Sequence, residues 1–136
     1  MDIADINRRV IEQFRAGGEI EGMHRDRIVL LTTAGARTGQ RRTTPMMFHR
    51  DGGRVLVVAS NVGAPKHPDW YRNLIADPRV IVEVGDETYP AVATTLEGAE
   101  RARAWSMLKE SYPFFASHEA STERIIPVVA LTRVTG

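Results

Sequence analysis

Two short glycine turns constrain this chain more than any other feature. Asp51-Gly52-Gly53 separates the β-rich runs Thr43 to Arg50 and Arg54 to Ser60, and Gly85-Asp86 separates Arg79 to Val84 from Glu87 to Thr95. β-branched and aromatic runs divided by two or three turn residues fold as hairpins. Two such hairpins commit much of a 136-residue chain to an antiparallel sheet. A further run, Arg27 to Thr33, is apolar on both parities through Ile28-Val29-Leu30-Leu31, as expected of a strand covered on both faces. Ile125 to Arg133 reads as a last strand.

Helical spacing appears at the ends and between strands. Asp2 to Arg15 repeats Ile3, Ile6, Val10, Ile11 and Phe14 with a helical period and stops at Gly17-Gly18. That apolar face suits packing on the domain, and its other use would be a weak contact with a membrane surface. Pro68 to Ala76 is a short helix with proline in its first turn, ended by Asp77-Pro78. Glu97 to Glu110 sets Ala104, Trp105 and Leu108 on one face, and Ser111 to Glu123 contains a short helix begun by Pro113. The order is not strand-helix-strand throughout, which argues against a doubly wound sheet. The pattern predicts an α+β domain on a small antiparallel barrel. No repeat or linker divides it, so residues 1–136 are read as a single domain, with a helix in 1–18 and the barrel in 26–133.

Composition serves to exclude. There is no cysteine, hence no disulfide and no thiolate metal site. His24, His49, His67 and His118 lack ligand spacing, so no metal is expected. A net charge of +1 provides no field for nucleic acid. No apolar run reaches membrane length, and the acidic start Met1-Asp2-Ile3-Ala4-Asp5 lacks a signal-peptide core, so the expected location is cytoplasmic. Gly-x-Ser-x-Gly, Walker A and GxGxxG sequences are all missing.

Two loops carry the candidate chemistry. Gly35-Ala36-Arg37-Thr38-Gly39-Gln40-Arg41-Arg42 follows the first strand. Its glycines allow a backbone nest for an anion, its threonines add hydroxyl donors, and its arginines can hold phosphate or carboxylate. An exposed loop with solvated arginines has the same spacing. Ser60-Asn61-Val62-Gly63-Ala64-Pro65-Lys66-His67 follows another strand. Lys66 and His67 stand at the start of the short helix, where anions are favoured, and Trp70 is either core or a pocket wall. Later, Tyr112, Pro113, Phe114, Phe115 and His118 form an aromatic cluster, which suits either core packing or a wall over an apolar substrate.

Taken in order, these segments resemble the deazaflavin-dependent nitroreductases, which use coenzyme F-420. The resemblance is carried by Leu30-Leu31-Thr32-Thr33 with Gly35-Ala36-Arg37-Thr38-Gly39-Gln40 and Arg42-Thr43-Thr44-Pro45. It continues through Ala59-Ser60-Asn61, Gly63-Ala64-Pro65-Lys66-His67-Pro68, Trp70-Tyr71-Arg72-Asn73-Leu74 and the tail Arg124-Ile125-Ile126-Pro127-Val128-Val129. It covers roughly Asp26 to Leu131.

The resemblance implies a split β-barrel of the pyridoxamine-phosphate-oxidase-like, FMN-binding-like type. It implies an oxidoreductase that passes hydride from reduced coenzyme F-420 to a small electron-poor acceptor, such as a quinone, an enone or a nitroaromatic. By position, Arg37, Thr38, Gln40, Arg42 and Thr44 would face the phosphate and glutamyl tail. Pro45, Met46, Met47, Val58, Ala59 and Ser60 would line the ring, and Asn61, Trp70 and Asn73 would complete the ribityl end. Met47, Tyr112, Phe115 and His118 fall at substrate-wall positions, three of which (Met47, Phe115, His118) can be tyrosine in the family. Ser60 and Tyr112 are the candidates for orienting the acceptor and donating a proton. Related barrels hold FMN or FAD and form homodimers, which leaves another flavin, or a non-catalytic coenzyme-binding protein, as alternatives.

Overall fold

The computed structural model describes residues 3–17, 19–20 and 25–134. His24 and Gly18 of the sequence reading lie outside them. A helix α1 (Ile3–Ala16) leads, after a 3-10 turn at Arg25–Arg27, into β1 (Ile28–Ala34), β2 (Arg41–Met47), β3 (His49–Asp51) and β4 (Arg54–Val58). Helix α2 (Asp69–Ala76), strands β5 (Arg79–Val84) and β6 (Glu87–Thr95), helices α3 (Gly98–Ser111) and α4 (Phe114–Ala120) and strand β7 (Val128–Arg133) follow.

The strands form one seven-stranded sheet in the order β2-β1-β5-β6-β7-β4-β3, and all its pairings are antiparallel. The two sheet edges, β2 and β3, are separated along the chain by Phe48 alone. A sheet whose opposite edges are joined by one residue has to curl until they meet, so covalent continuity makes it a split barrel. The sequence predicts one strand over 43–50. The structure breaks it at Phe48, whose amide bonds the Arg27 carbonyl at 3.3 Å as the chain crosses between edges.

Alternation in the strands sorts residues to two sides of the barrel wall. Val29, Leu31, Val55, Val57, Val80, Val82, Tyr89, Ala91, Val129 and Leu131 fill the interior. On the outer face, Leu56, Val128 and Ala130 pack against Leu96, Trp105 and Leu108 of the α3 region and Phe115 of α4. Val10 and Phe14 of α1 cover Ile28 and Leu30, which explains why β1 is apolar on both parities. The face of α1 that suggested a membrane contact is thus occupied within the molecule, with Ile6 left exposed. Arg15 locks that helix down through a two-point bond to Glu83, at 3.0 and 2.8 Å.

Helix α4 is pinned to α3 by Glu119, which accepts from the Trp105 indole N–H and from Lys109 Nζ. These bonds hold the Glu119 carboxyl below its usual pKa, the indole donor first and Lys109 second. The pinning matters because α3 and α4 form one wall of the site.

Candidate functional site

A cavity of about 380 Å³ opens where the chain bends at Phe48 and meets α3 and α4. Its volume falls within the range of small-molecule sites. Pro45, Met46, Met47, Phe48 and His49 supply one side, Leu56 and Val58 the floor, Ser60, Asn61 and Val62 the rim after β4, and Leu108, Tyr112, Phe114, Phe115 and His118 the far wall.

The rim is held in an uncommon backbone shape. Asn61, Val62 and Gly63 have φ of 48°, 50° and 79°. Positive φ is a true outlier for a β-branched residue, and such strain persists only where surroundings enforce it. Here the enforcement can be traced. Gly63 admits no side chain, because a Cβ there would lie 2.8 Å from both the His118 carbonyl oxygen of α4 and the Cβ of Ser121 just after it. Arg124 donates to the carbonyls of Ala59 (3.0 Å), Ser60 (2.6 Å) and Ala64 (2.9 Å), which clamps both ends of the rim. Its Nη1 also meets His67 Nδ1 at 3.0 Å. A guanidinium only donates, so Nδ1 is the acceptor and His67 is neutral. Burial first, and then Arg124 and Arg72, push the His67 pKa below its usual value.

The far wall is aromatic. Phe114 and Phe115 lie 4.6 Å apart, with Tyr112 5.9 Å and His118 6.0 Å from Phe115. The Tyr112 hydroxyl sits 3.1 Å from His49 Nδ1, which spans from α3 to the start of β3. His118 Nδ1 is buried and, among the described residues, has no hydrogen-bond partner.

At the other end of β2 lies the cationic loop. Gly35 N–H donates to the Gln40 carbonyl and Gly39 N–H to the Gly35 carbonyl, both at 2.8 Å, while Gln40 N–H reaches Thr38 Oγ1 at 3.1 Å. Gly39 takes φ of 71° in this tight turn. Asn73 of α2 holds the loop on the barrel, accepting from Ala36 N–H at 3.0 Å and donating to Thr33 Oγ1 at 3.1 Å. Arg37, Arg41 and Arg42 are exposed, and none joins an ion pair among the described residues. From Met46 to Arg42 is four residues of strand, or about 13 Å at roughly 3.3 Å per residue.

The residues singled out from sequence therefore fall into three places. Pro45, Met46, Met47, Val58, Ser60, Asn61, Tyr112, Phe115 and His118 converge on the cavity. Arg37, Thr38, Gln40 and Arg42 lie in or beside the cationic turn, and Thr44 stands between the two, in register with Leu31. The others are off the cavity wall. Ala59 is fully buried, Trp70 packs half-buried on the barrel interior, and both ends of the Asn73 amide are engaged in holding the loop.

Phe114, read from sequence as part of the aromatic cluster, lines the cavity too; Phe48, His49, Val62, Leu56 and Leu108 also line it but are not assigned to a site in the sequence, and neither is the Arg124 clamp. Arg124 had a signal, as a cation heading an otherwise apolar tail. His49 had none, because its role depends on a bend within what reads as one continuous strand.

An antiparallel split barrel with an apolar cavity at one end of a strand and a cationic turn at the other can hold a flat ring with an anionic tail. The chain belongs to the F420H(2)-dependent quinone reductase family, whose model matches residues 6–133. It is 40% identical over 108 residues to an F420H(2)-dependent quinone reductase of Mycobacterium tuberculosis, covering 77% of this chain and 72% of that protein. A solved F420-H2 dependent reductase, FDR-A, superposes with a TM-score of 0.71 at 42% identity, covering 81% of this chain and 99% of that one. A second solved relative, described as a domain-swapped dimer, gives a TM-score of 0.74 at 39% identity over 96% of this chain and 99% of its own.

Proposed function

We propose that this protein reduces a quinone with hydride from reduced coenzyme F-420. The observation that carries the reading is β2 itself. One strand joins an apolar cavity to a turn where Arg37, with Arg41 and Arg42 at the strand's start, has no ion-pair partner among the described residues. That donor set fits a ligand with a flat apolar ring at one end and a phosphate and acidic tail at the other.

In this reading Arg37 and Arg42, with Thr38, Gln40 and Thr44, hold the anionic part. Pro45, Met46, Met47 and Val58 shape a dry wall for the ring, with Ala59 buried behind it. Asn61 and Asn73 act by fixing the two loops, and Trp70 packs beneath them on the barrel interior. Bound in this place, the reduced coenzyme supplies hydride, and the chemistry is its own. The protein's share is orientation and exclusion of water, with the acceptor held among Met47, Tyr112, Phe115 and His118. Ser60 and Tyr112 stand where negative charge develops on the acceptor oxygen, and Tyr112 is the proton donor. The relative that forms a domain-swapped dimer supports a homodimer for this chain as well.

The test mixes the protein with the reduced coenzyme and menadione and follows the return of oxidised-coenzyme absorbance. Saturable, protein-dependent reoxidation is expected. Tight coenzyme binding without acceptor-dependent turnover would instead identify a coenzyme carrier. A response to FMN or FAD alone would keep the fold and replace the cofactor.

A further inference from the structure

Behind Tyr112 the cavity contains one polar group that the proposed function does not use, His49. The cavity wall is mostly apolar, and two of its few polar side chains are already bonded to each other: His49 Nδ1 and the Tyr112 hydroxyl, 3.1 Å apart. They arrive from unrelated parts of the chain, and each is held by backbone. His49 opens β3 opposite Leu56, one residue past the Phe48 bend. Tyr112 caps the C-terminus of α3, its N–H bonded to the Leu108 carbonyl at 2.8 Å. The rings meet edge to face with centroids 5.9 Å apart.

Among the described residues, the charges next to this pair on β3 have other partners. On β3, Arg50 lies over the Phe48 ring and Asp51 pairs with Arg54. From the helices, the titratable cavity groups are Tyr112 itself and His118 of α4. Both His49 and Tyr112 are half-buried, so the pair borders apolar space on one side and water on the other.

We propose that His49 and Tyr112 form a proton relay serving the acceptor in this cavity, with Tyr112 the proton donor and His49 the positioning and resupplying residue behind it. The proposal rests on the quinone-reductase reading. Reducing a quinone to a hydroquinone takes one hydride and one proton. The hydride, with its two electrons, leaves one quinone oxygen anionic. The Tyr112 O–H bond then breaks and its proton passes to that oxygen. The phenolate takes the proton from His49 Nδ1, while Nε2 gains one from water and leaves the imidazole neutral again. In net terms a quinone, a hydride from the reduced deazaflavin and one solvent proton become a hydroquinone; Tyr112 is restored, and His49 is left as the Nε2–H tautomer, which gives that proton back to water and regains one at Nδ1 before the next turnover. The direction of the resting hydrogen bond is decisive. His49 Nδ1–H must donate to the Tyr112 oxygen, because only then does the phenol proton stay free for the acceptor.

The first readout is independent of turnover. ¹⁵N NMR of the ligand-free protein should show His49 protonated at Nδ1 in its neutral form. The Nε2–H tautomer would overturn the proposal, since the phenol proton would then be committed to His49. The second readout uses Tyr112→Phe and His49→Gln, the latter keeping a donor but unable to relay. Both should bind the coenzyme as the wild type does. Tyr112→Phe should reduce menadione about a hundredfold more slowly or worse, on the scale of general acid catalysis. His49→Gln should lower kcat rather than raise KM, lose the wild-type pH profile and change the solvent isotope effect. Normal binding with unaltered kcat and pH profile in both variants would overturn the relay alone. A wild-type protein that binds no coenzyme would overturn the functional reading beneath it, and the tautomer measurement separates the two failures.

Discussion

The two ends of β2 are built on opposite plans. At Arg41-Arg42 the strand runs into an exposed turn held on the barrel by the Asn73 amide, with cations that join no ion pair among the described residues. At Met46-Met47 it runs into a cavity enclosed by two helices, a strained rim and a clamped loop. Water screens charges at the first end, and in the proposed reading that end would contribute affinity and register. The second is apolar and only partly open to water, and there position and proton supply would count for more. A ligand spanning both would be held by charge at one end and made reactive by shape at the other. Substitutions should therefore separate into two groups, those that change binding and those that change the cavity.

The largest expected effect comes at the enclosed end. Arg124→Met removes three carbonyl bonds and leaves Ala59, Ser60 and Ala64 to find other donors. Bonds to charged donors are worth about 1.5–3 kcal/mol each, so the loss should be at least about 3 kcal/mol, read as a lower midpoint in urea denaturation. A loss below about 1 kcal/mol, within the usual range of an exposed ion pair, would mean that the rim is not held by this residue.

Gly63→Ala should follow, at about 2–3 kcal/mol, because it adds a side chain at positive φ and drives it into α4. Thermal unfolding measures it, and acceptor kinetics should deteriorate while coenzyme affinity changes little. Loss of coenzyme affinity equal to that of an arginine variant would break the comparison between the two ends.

The smallest effect is a pH dependence. His67 is held neutral, its pKa depressed by burial and by Arg124 and Arg72. Above the unfolded histidine value, near 6.5, neither state binds the proton. As pH falls below that value the unfolded chain protonates first, so stability is lost from there down to the depressed native pKa. His67→Gln, which can still accept from Arg124, should flatten this part of the stability-pH curve. An unchanged curve would remove His67 from the clamp.

How much of this is legible without coordinates follows from the range of the interactions. The β3–β4 and β5–β6 hairpins are local, fixed by turn residues and alternation, and the strand pairings agree with them. The cationic turn is local as well, its glycines and arginines being contiguous. The cavity is not. Tyr112, Phe115 and His118 were placed by family position, whereas His49 joins them only because the sheet edges meet at Phe48. No periodicity records that closure. Trp70 shows the converse, as an aromatic residue in a functional-looking segment that packs on the barrel interior instead. The tail of the chain was read as strand from Ile125, but β7 starts at Val128, because the preceding residues run past the clamp: the Ile126 carbonyl accepts from Arg101 and the Pro127 carbonyl from the Ala59 amide.

The most direct test of the central claim is a fluorescence titration with coenzyme F-420 of the wild type, Arg42→Ala, Arg37→Ala and Met47→Ala. Binding should be saturable, and each arginine variant should weaken it about tenfold, roughly the loss of one charge-assisted hydrogen bond, with steep salt dependence. Met47→Ala should bind within a few-fold of the wild type while losing acceptor turnover. Arginine variants that bind as the wild type does, beside a Met47→Ala protein that does not bind, would contradict the assignment of affinity to one end of β2 and reactivity to the other.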